Sequence, residues 1–144
     1  MAKARGPAAA ALGFSILMMA AAGQAANDPA MPEFAGTAWR AETIMGRPVM
    51  DYAASTITFE ADGRVQGRGG CNRYFGSSTI EGERLSLGPL GATKMTCAPA
   101  LMDQETRFFE ALQTAERWTF DEHGLLLVYS SGADQPSRFA PFED

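Results

Sequence analysis

The chain has 144 residues, with 12 Lys and Arg against 17 Asp and Glu and a formal net charge of −5. That length is room for one domain with a real but modest core. The acidic balance disfavours nucleic acid and anionic lipid surfaces as partners, because both attract basic patches.

Residues 1–25 read as a signal peptide. Lys3 and Arg5 form a short basic start, and Ala8 to Ala22 is an uncharged run holding Leu12, Phe14, Ile16, Leu17 and Met18. Gly23-x-Ala25 then offers small residues to a signal peptidase. The run is alanine-rich and shorter than the ~20 apolar residues a spanning helix needs. No cysteine near the cleavage site offers a lipid acceptor, and no twin-arginine pair is present, so export of the unfolded chain is expected. Cleavage removes two basic residues and no acid, leaving 10 Lys and Arg against 17 Asp and Glu, a net charge of −7. The expected location is periplasmic or secreted, with no membrane insertion after cleavage.

Residues 26–33 contain Pro29 and Pro32 without periodicity and read as a flexible leader. The domain is expected over 34–144. Thr37 to Thr43 alternates in part, with Trp39 as the inward anchor. Met45 to Ala54 holds Gly46 and Pro48 and reads as a connection. Thr56 to Glu60 alternates cleanly, putting Ile57 and Phe59 on one face. Ala61-Asp62-Gly63 is a hairpin turn and Arg64 to Gly67 the returning strand. Tyr74 to Ile80 is the next strand, Glu81-Gly82-Glu83 a turn, and Arg84 to Leu87 its partner. Trp118 to Phe120 and Leu125 to Tyr129 flank the turn Asp121 to Gly124, and a last strand lies around Ser137 to Pro141. Short strands with regular turn signals predict an antiparallel meander.

One helix interrupts them. Pro99 suits a first helical turn, where its missing N–H costs nothing. Asp103 and Glu105 near the start favour the helix dipole. Leu101, Phe108, Phe109, Leu112 and Ala115 recur at helical spacing and form an apolar stripe expected to pack on the sheet. Arg117 is expected near the helix end. Asp103, Glu105, Glu110 and Glu116 form the opposite, polar face, the wrong sign for an anionic membrane surface.

Cys71 and Cys97, the only cysteines, lie 26 positions apart. In an exported chain they read first as one disulfide. Such a loop would stabilise the fold by roughly 3–4 kcal/mol where geometry permits. Two separate buried thiols, or a reactive thiol, are the alternatives. The glycines at 67, 69, 70 and 76 have the wrong spacing for a dinucleotide fingerprint. They read as places where a strand bends or backbones approach closely near Cys71. Asn72 reads as a turn residue that bonds nearby backbone. Arg68, Arg73 and Lys94 read as solvated surface, with a small cationic spot as the sharper reading. His123, the single histidine, falls in an acidic turn. It gives thin support for a metal site and would pair with a cysteine only if brought beside one. Ser55 and Ser86 sit in no nucleophile-elbow pattern. No enzyme, cofactor or metal is expected.

The residues Gly70-Cys71-Asn72-Arg73-Tyr74-x-Gly76, followed by Thr93-x-Met95-x-Cys97, resemble the signature of the META domain family, which includes HslJ-like heat-shock proteins. The resemblance runs from about Gly36 to Phe139. It takes in Trp39, Gly46-x-Pro48, Ile57-Thr58-Phe59, Asp62-Gly63-Arg64, Gly67, Leu85-x-Leu87, Glu105 with Phe108, Leu112, and Leu125-x-Leu127. It implies an α+β fold: a curved antiparallel β-meander approaching a partly open barrel, with one α-helix packed on it. It also implies links to heat shock, tolerance of the antibiotic novobiocin and, in parasites, secretion and virulence. Some family members are lipoproteins, and this chain departs there. The resemblance supplies no catalytic residues. The expected function is a monomeric, non-enzymatic binding or interaction module of the cell envelope, taking an envelope protein or a small apolar ligand. A structural stress-buffering domain and a thiol-dependent redox protein are the alternatives.

Overall fold

The computed structural model describes Gly13 and residues 35–143. The signal peptide, the leader and the expected first domain residue, Phe34, lie outside the described residues, Gly13 apart. Among the described residues there are ten strands and one helix: β1 Ala38–Ile44, β2 Arg47–Pro48, β3 Thr56–Phe59, β4 Arg64–Arg68, β5 Arg73–Glu81, β6 Arg84–Leu87, β7 Gly91–Ala92, α1 Pro99–Gln113, β8 Ala115–Phe120, β9 Leu126–Ser130 and β10 Ser137–Phe142. No helix among these residues is long and apolar enough to cross a membrane.

Eight strands follow one another antiparallel in the order β1, β3, β4, β5, β6, β8, β9, β10. β10 then bonds back to β1, with Ala38 opposite Phe142 and Ala41 opposite Phe139. The barrel is therefore closed, where the resemblance implied a partly open one. Closure removes both free sheet edges. β2 adds a short pairing to β1, within the stretch read as a connection, and β7 adds one to β5.

Alternation decides which side chains fill the barrel. Trp39, Ile57, Phe59, Val65, Tyr74, Leu85, Leu87 and Phe139 are buried. In β1 the register slips between Ala41 and Thr43. This bulge turns Ile44 inward instead of Thr43. In β9 the inward residues are Leu126 and Val128, one position out of phase with Leu125-x-Leu127. Rings meet at the centre: Tyr74 and Phe108 lie edge-on 5.7 Å apart, and Phe108 and Phe139 are tilted to each other 6.3 Å apart. Tyr74 donates its hydroxyl to the Thr56 carbonyl at 2.7 Å. Burial pushes that phenol's pKa well above its ordinary value.

α1 touches β1, β6 and β9. Because β1 and β6 lie on opposite sides of the ring, the helix crosses one mouth of the barrel and plugs it. Its buried residues are Gln104, Glu105, Phe108, Ala111 and Leu112. Helix and stripe therefore differ from the sequence expectation in three respects. The first turn from Pro99 holds no acidic residue, so Asp103 and Glu105 lie too far along to serve the helix dipole. The helix stops at Gln113, so Ala115 and Arg117 belong to β8. There Arg117 packs its guanidinium 3.8 Å from the centre of the Tyr129 ring. Glu105 faces inward, away from the polar face assigned to it.

Candidate functional site

The signature folds around the turn between β4 and β5. Gly69 N–H donates to the Asn72 carbonyl at 2.9 Å, and Gly70 has φ of +135°. That conformation suits a residue without Cβ. The turn directs Asn72 inward, where it is 4 % exposed. Its Oδ1 accepts from Thr93 Oγ1 at 3.0 Å and from Met95 N–H at 2.6 Å. Its Nδ2 donates to the Met95 carbonyl at 3.2 Å and to Glu105 Oε2 at 3.1 Å. Its backbone N–H donates to Glu105 Oε1 at 3.0 Å. Both amide protons and both Oδ1 lone pairs are thus engaged. One side chain joins the β4–β5 turn, the strap over residues 93–95 and the helix.

The same turn is held covalently. Cys71 and Cys97 form a disulfide, their Cα atoms 6.1 Å apart. Cys97 lies two residues before Pro99, so the bond fixes the barrel's turn to the start of α1. Gln104 supplies a second polar anchor. Its Nε2 donates to the Ala53 carbonyl at 2.6 Å and to Ser55 Oγ at 3.0 Å, and its Oε1 accepts from Met50 N–H at 3.0 Å. Ser55 in turn donates to the Gly69 carbonyl at 2.8 Å. Adjacent helix residues therefore clamp two loops: Gln104 the 50–55 segment, Glu105 the signature turn.

The glycines serve close approach. A Cβ on Gly69 would lie 2.8 Å from both Phe109 Cζ and Glu105 Cγ. On Gly67 it would strike the Thr56 carbonyl, and on Gly76 it would lie 2.6 Å from Leu90 Cδ2. Gly69→Ala is therefore expected to destabilise the fold by about 1–3 kcal/mol through forced displacement of Phe109 and Glu105. Chemical denaturation checks this: the midpoint falls while the slope stays constant.

This arrangement fixes structure and leaves little free for chemistry. Both sulfurs are bonded to each other. Both Glu105 oxygens accept from Asn72. Met95 contributes its backbone, while its side chain is exposed. Thr93 contributes its hydroxyl. His123 lies in the exposed turn between β8 and β9, its N–H donating to Asp121 Oδ1 at 2.8 Å. N–H groups of Leu125 and His123 pointing at that carboxylate hold its pKa below the ordinary value. Among the described residues no group of three or more His, Cys, Asp and Glu converges as a metal site.

Arg68 and Arg73 do come together. They pair directly across β4 and β5 and line one groove with Arg40. Lys94 is not among that groove's lining residues. Sequence reading missed Gln104 and Arg40, and put Glu105 on the polar face although the family resemblance included it. Gln104 and Glu105 precede Phe108 by four and three positions, which places them on the helix face that Phe108 buries. That spacing was the available signal.

The family model described as META domain matches residues 32–139. Among solved structures, a protein from Burkholderia xenovorans determined by NMR is similar at 21 % identity and a TM-score of 0.60, covering 77 % of this chain and 85 % of that one. A second NMR structure is similar at 23 % identity and a TM-score of 0.58, covering 72 % and 87 %. A crystal structure of a DUF4847 family protein from Bacteroides vulgatus is similar at 20 % identity and a TM-score of 0.50, covering 75 % and 94 %. At these identities the likeness is one of fold. No curated protein sequence matches the chain.

Proposed function

Because the chain belongs to the META domain family, we propose that it is an exported, non-enzymatic module that binds a partner at its outer surface during heat or drug stress in the cell envelope. One observation carries this reading. The barrel interior is occupied by its own rings and aliphatic side chains, with Phe59, Tyr74, Phe108 and Phe139 each at most 2 % exposed. The signature's polar groups are engaged inside the molecule. A small apolar ligand in the barrel would have to displace that core, so an envelope protein on the outside is the better partner. The disulfide is compatible with an oxidising compartment, and residues 1–25 read as an export signal. Among the described residues, the large apolar side chains left exposed are Tyr52, Phe75 and Met95. Phe75, on the outer side of β5, is 67 % exposed.

In-cell cross-linking under heat or novobiocin stress tests this. The expected result is one recurrent envelope protein, recovered from the wild-type chain and lost from Phe75→Ser. Repeated failure to recover any partner would leave a structural, stress-buffering domain as the better description.

A further inference from the structure

Three arginines line one groove of the outer barrel wall, and among the described residues none of them has an acidic partner. The register builds the row. Arg40 on β1 sits opposite Thr56 on β3. Arg68 on β4 donates its backbone N–H to Thr56 Oγ1 at 3.1 Å, and it sits opposite Arg73 on β5. The groove has a volume of about 470 Å³, and Thr58 and Gln66 also line it.

Three nearby carboxylates are engaged elsewhere. Glu60 and Asp62 hold Arg64 at 3.2 and 2.7 Å, and Glu42 lies 3.7 Å from Arg138. Glu60 also accepts from Gln66 Nε2 at 2.7 Å, at the groove's border. Among the described residues, no ion pair includes Arg40, Arg68 or Arg73. Like charges directly opposite in a sheet weaken it, so the Arg68–Arg73 pair does not serve stability. In a chain with net charge −5, it is a local reversal of sign.

We propose that this groove binds a soluble ligand carrying two or more phosphate groups. The planar guanidinium fork matches a phosphate with two parallel hydrogen bonds. Strands about 4.8 Å apart put the backbones of Arg40 and Arg73 about 14 Å from each other. A single phosphate therefore engages one end of the row, and a ligand with several phosphates spans it. The hydroxyls of Thr56 and Thr58 add neutral donors along the row. The proposal rests on the reading of the chain as a binding module and adds a small anionic ligand, at a groove that does not include Phe75, beside the protein partner.

Titration of the full chain with sodium tripolyphosphate at low salt, followed by calorimetry and by amide NMR shifts, tests it. The expected result is saturable binding, with shifts concentrated at residues 40, 56, 58, 66–68 and 73. Arg68→Gln with Arg73→Gln should weaken it by roughly tenfold or more, the loss of charge-assisted hydrogen bonds. The same pair of changes should leave thermal stability unchanged or raised, because a like-charge pair is removed. Arg84→Gln on β6, away from the groove, should leave the affinity unchanged. Three results would each overturn the proposal: no saturable binding, equal weakening by Arg84→Gln, or binding to phosphatidylglycerol vesicles with none to tripolyphosphate. If tripolyphosphate fails while cross-linking still recovers an envelope protein, the binding-module reading stands and this inference alone falls.

Discussion

Asn72→Ala is expected to lower the unfolding midpoint of the oxidised chain by about 10–20 °C, the effect of losing about 3–4 kcal/mol in a domain near 110 residues. The truncation removes the hub and leaves its partners behind. Glu105 Oε2 and the Met95 carbonyl lose their donor, and Thr93 Oγ1 and the Met95 N–H lose their acceptor. Glu105 is 3 % exposed, so water replaces little on that side. A buried carboxylate stripped of a donor costs more than a neutral group in the same place. The strap at 93–95 is exposed on its other side, so it should loosen first. Calorimetry gives the midpoint, and faster amide exchange at Met95 should locate the damage. A fall of only a few degrees would mean that water restores the bonds, and that Asn72 matters for something other than the clamp.

Breaking the Cys71–Cys97 bond is expected to cost about 3–4 kcal/mol in the chain-entropy treatment of a 26-residue separation. The double change Cys71→Ser with Cys97→Ser should therefore lower the midpoint by roughly the same amount as Asn72→Ala. It should leave a folded barrel, because the Asn72–Glu105 bond still holds the turn to the helix and Gln104 still holds the 50–55 segment to it. Strong reductant should reproduce the shift in the wild-type chain. Mild reductant, at glutathione strength, should leave the bond closed, as for a structural disulfide. Ready opening at that strength would favour the thiol-dependent redox reading.

Strands were legible where alternation and a turn coincide. Thr56 to Phe59 and Arg84 to Leu87 bury every second residue; the first ends at the Gly63 turn and the second begins at the Gly82 turn. Where a run is apolar throughout, as from Leu125 to Val128, the inward face cannot be read from periodicity. It is set instead by pairing of β9 with both β8 and β10. The helix end was missed for a related reason. No Gly or Pro stands between Gln113 and Trp118, so helical spacing continues on paper into Ala115. Cross-strand pairing with Ser130 and Tyr129 takes that segment instead.

Barrel closure was out of reach because it depends on β10 finding β1, nearly a hundred positions away. The site was half legible. Asn72 could be read as a turn residue, but its carboxylate partner lay on a helix face that charge alone marks as exposed. Gly67 and Gly69 were read as close approaches. The structure supplies what approaches, the Thr56 carbonyl in one case and Phe109 with Glu105 in the other. Arg40 is distant in sequence from Arg68 and Arg73 and joins them only through the β1–β3–β4–β5 register.

The central claim is that the signature forms a structural clamp in which Asn72 and Glu105 act as one unit. A double-mutant cycle measures that directly, using Asn72→Ala, Glu105→Gln and the two together, by urea unfolding of the oxidised chain. The account predicts a coupling of about 1.5–3 kcal/mol, since each change alone removes bonds the other residue also needs. Free energies that add to within about 0.5 kcal/mol would contradict it, and would mean that the two residues contribute independently.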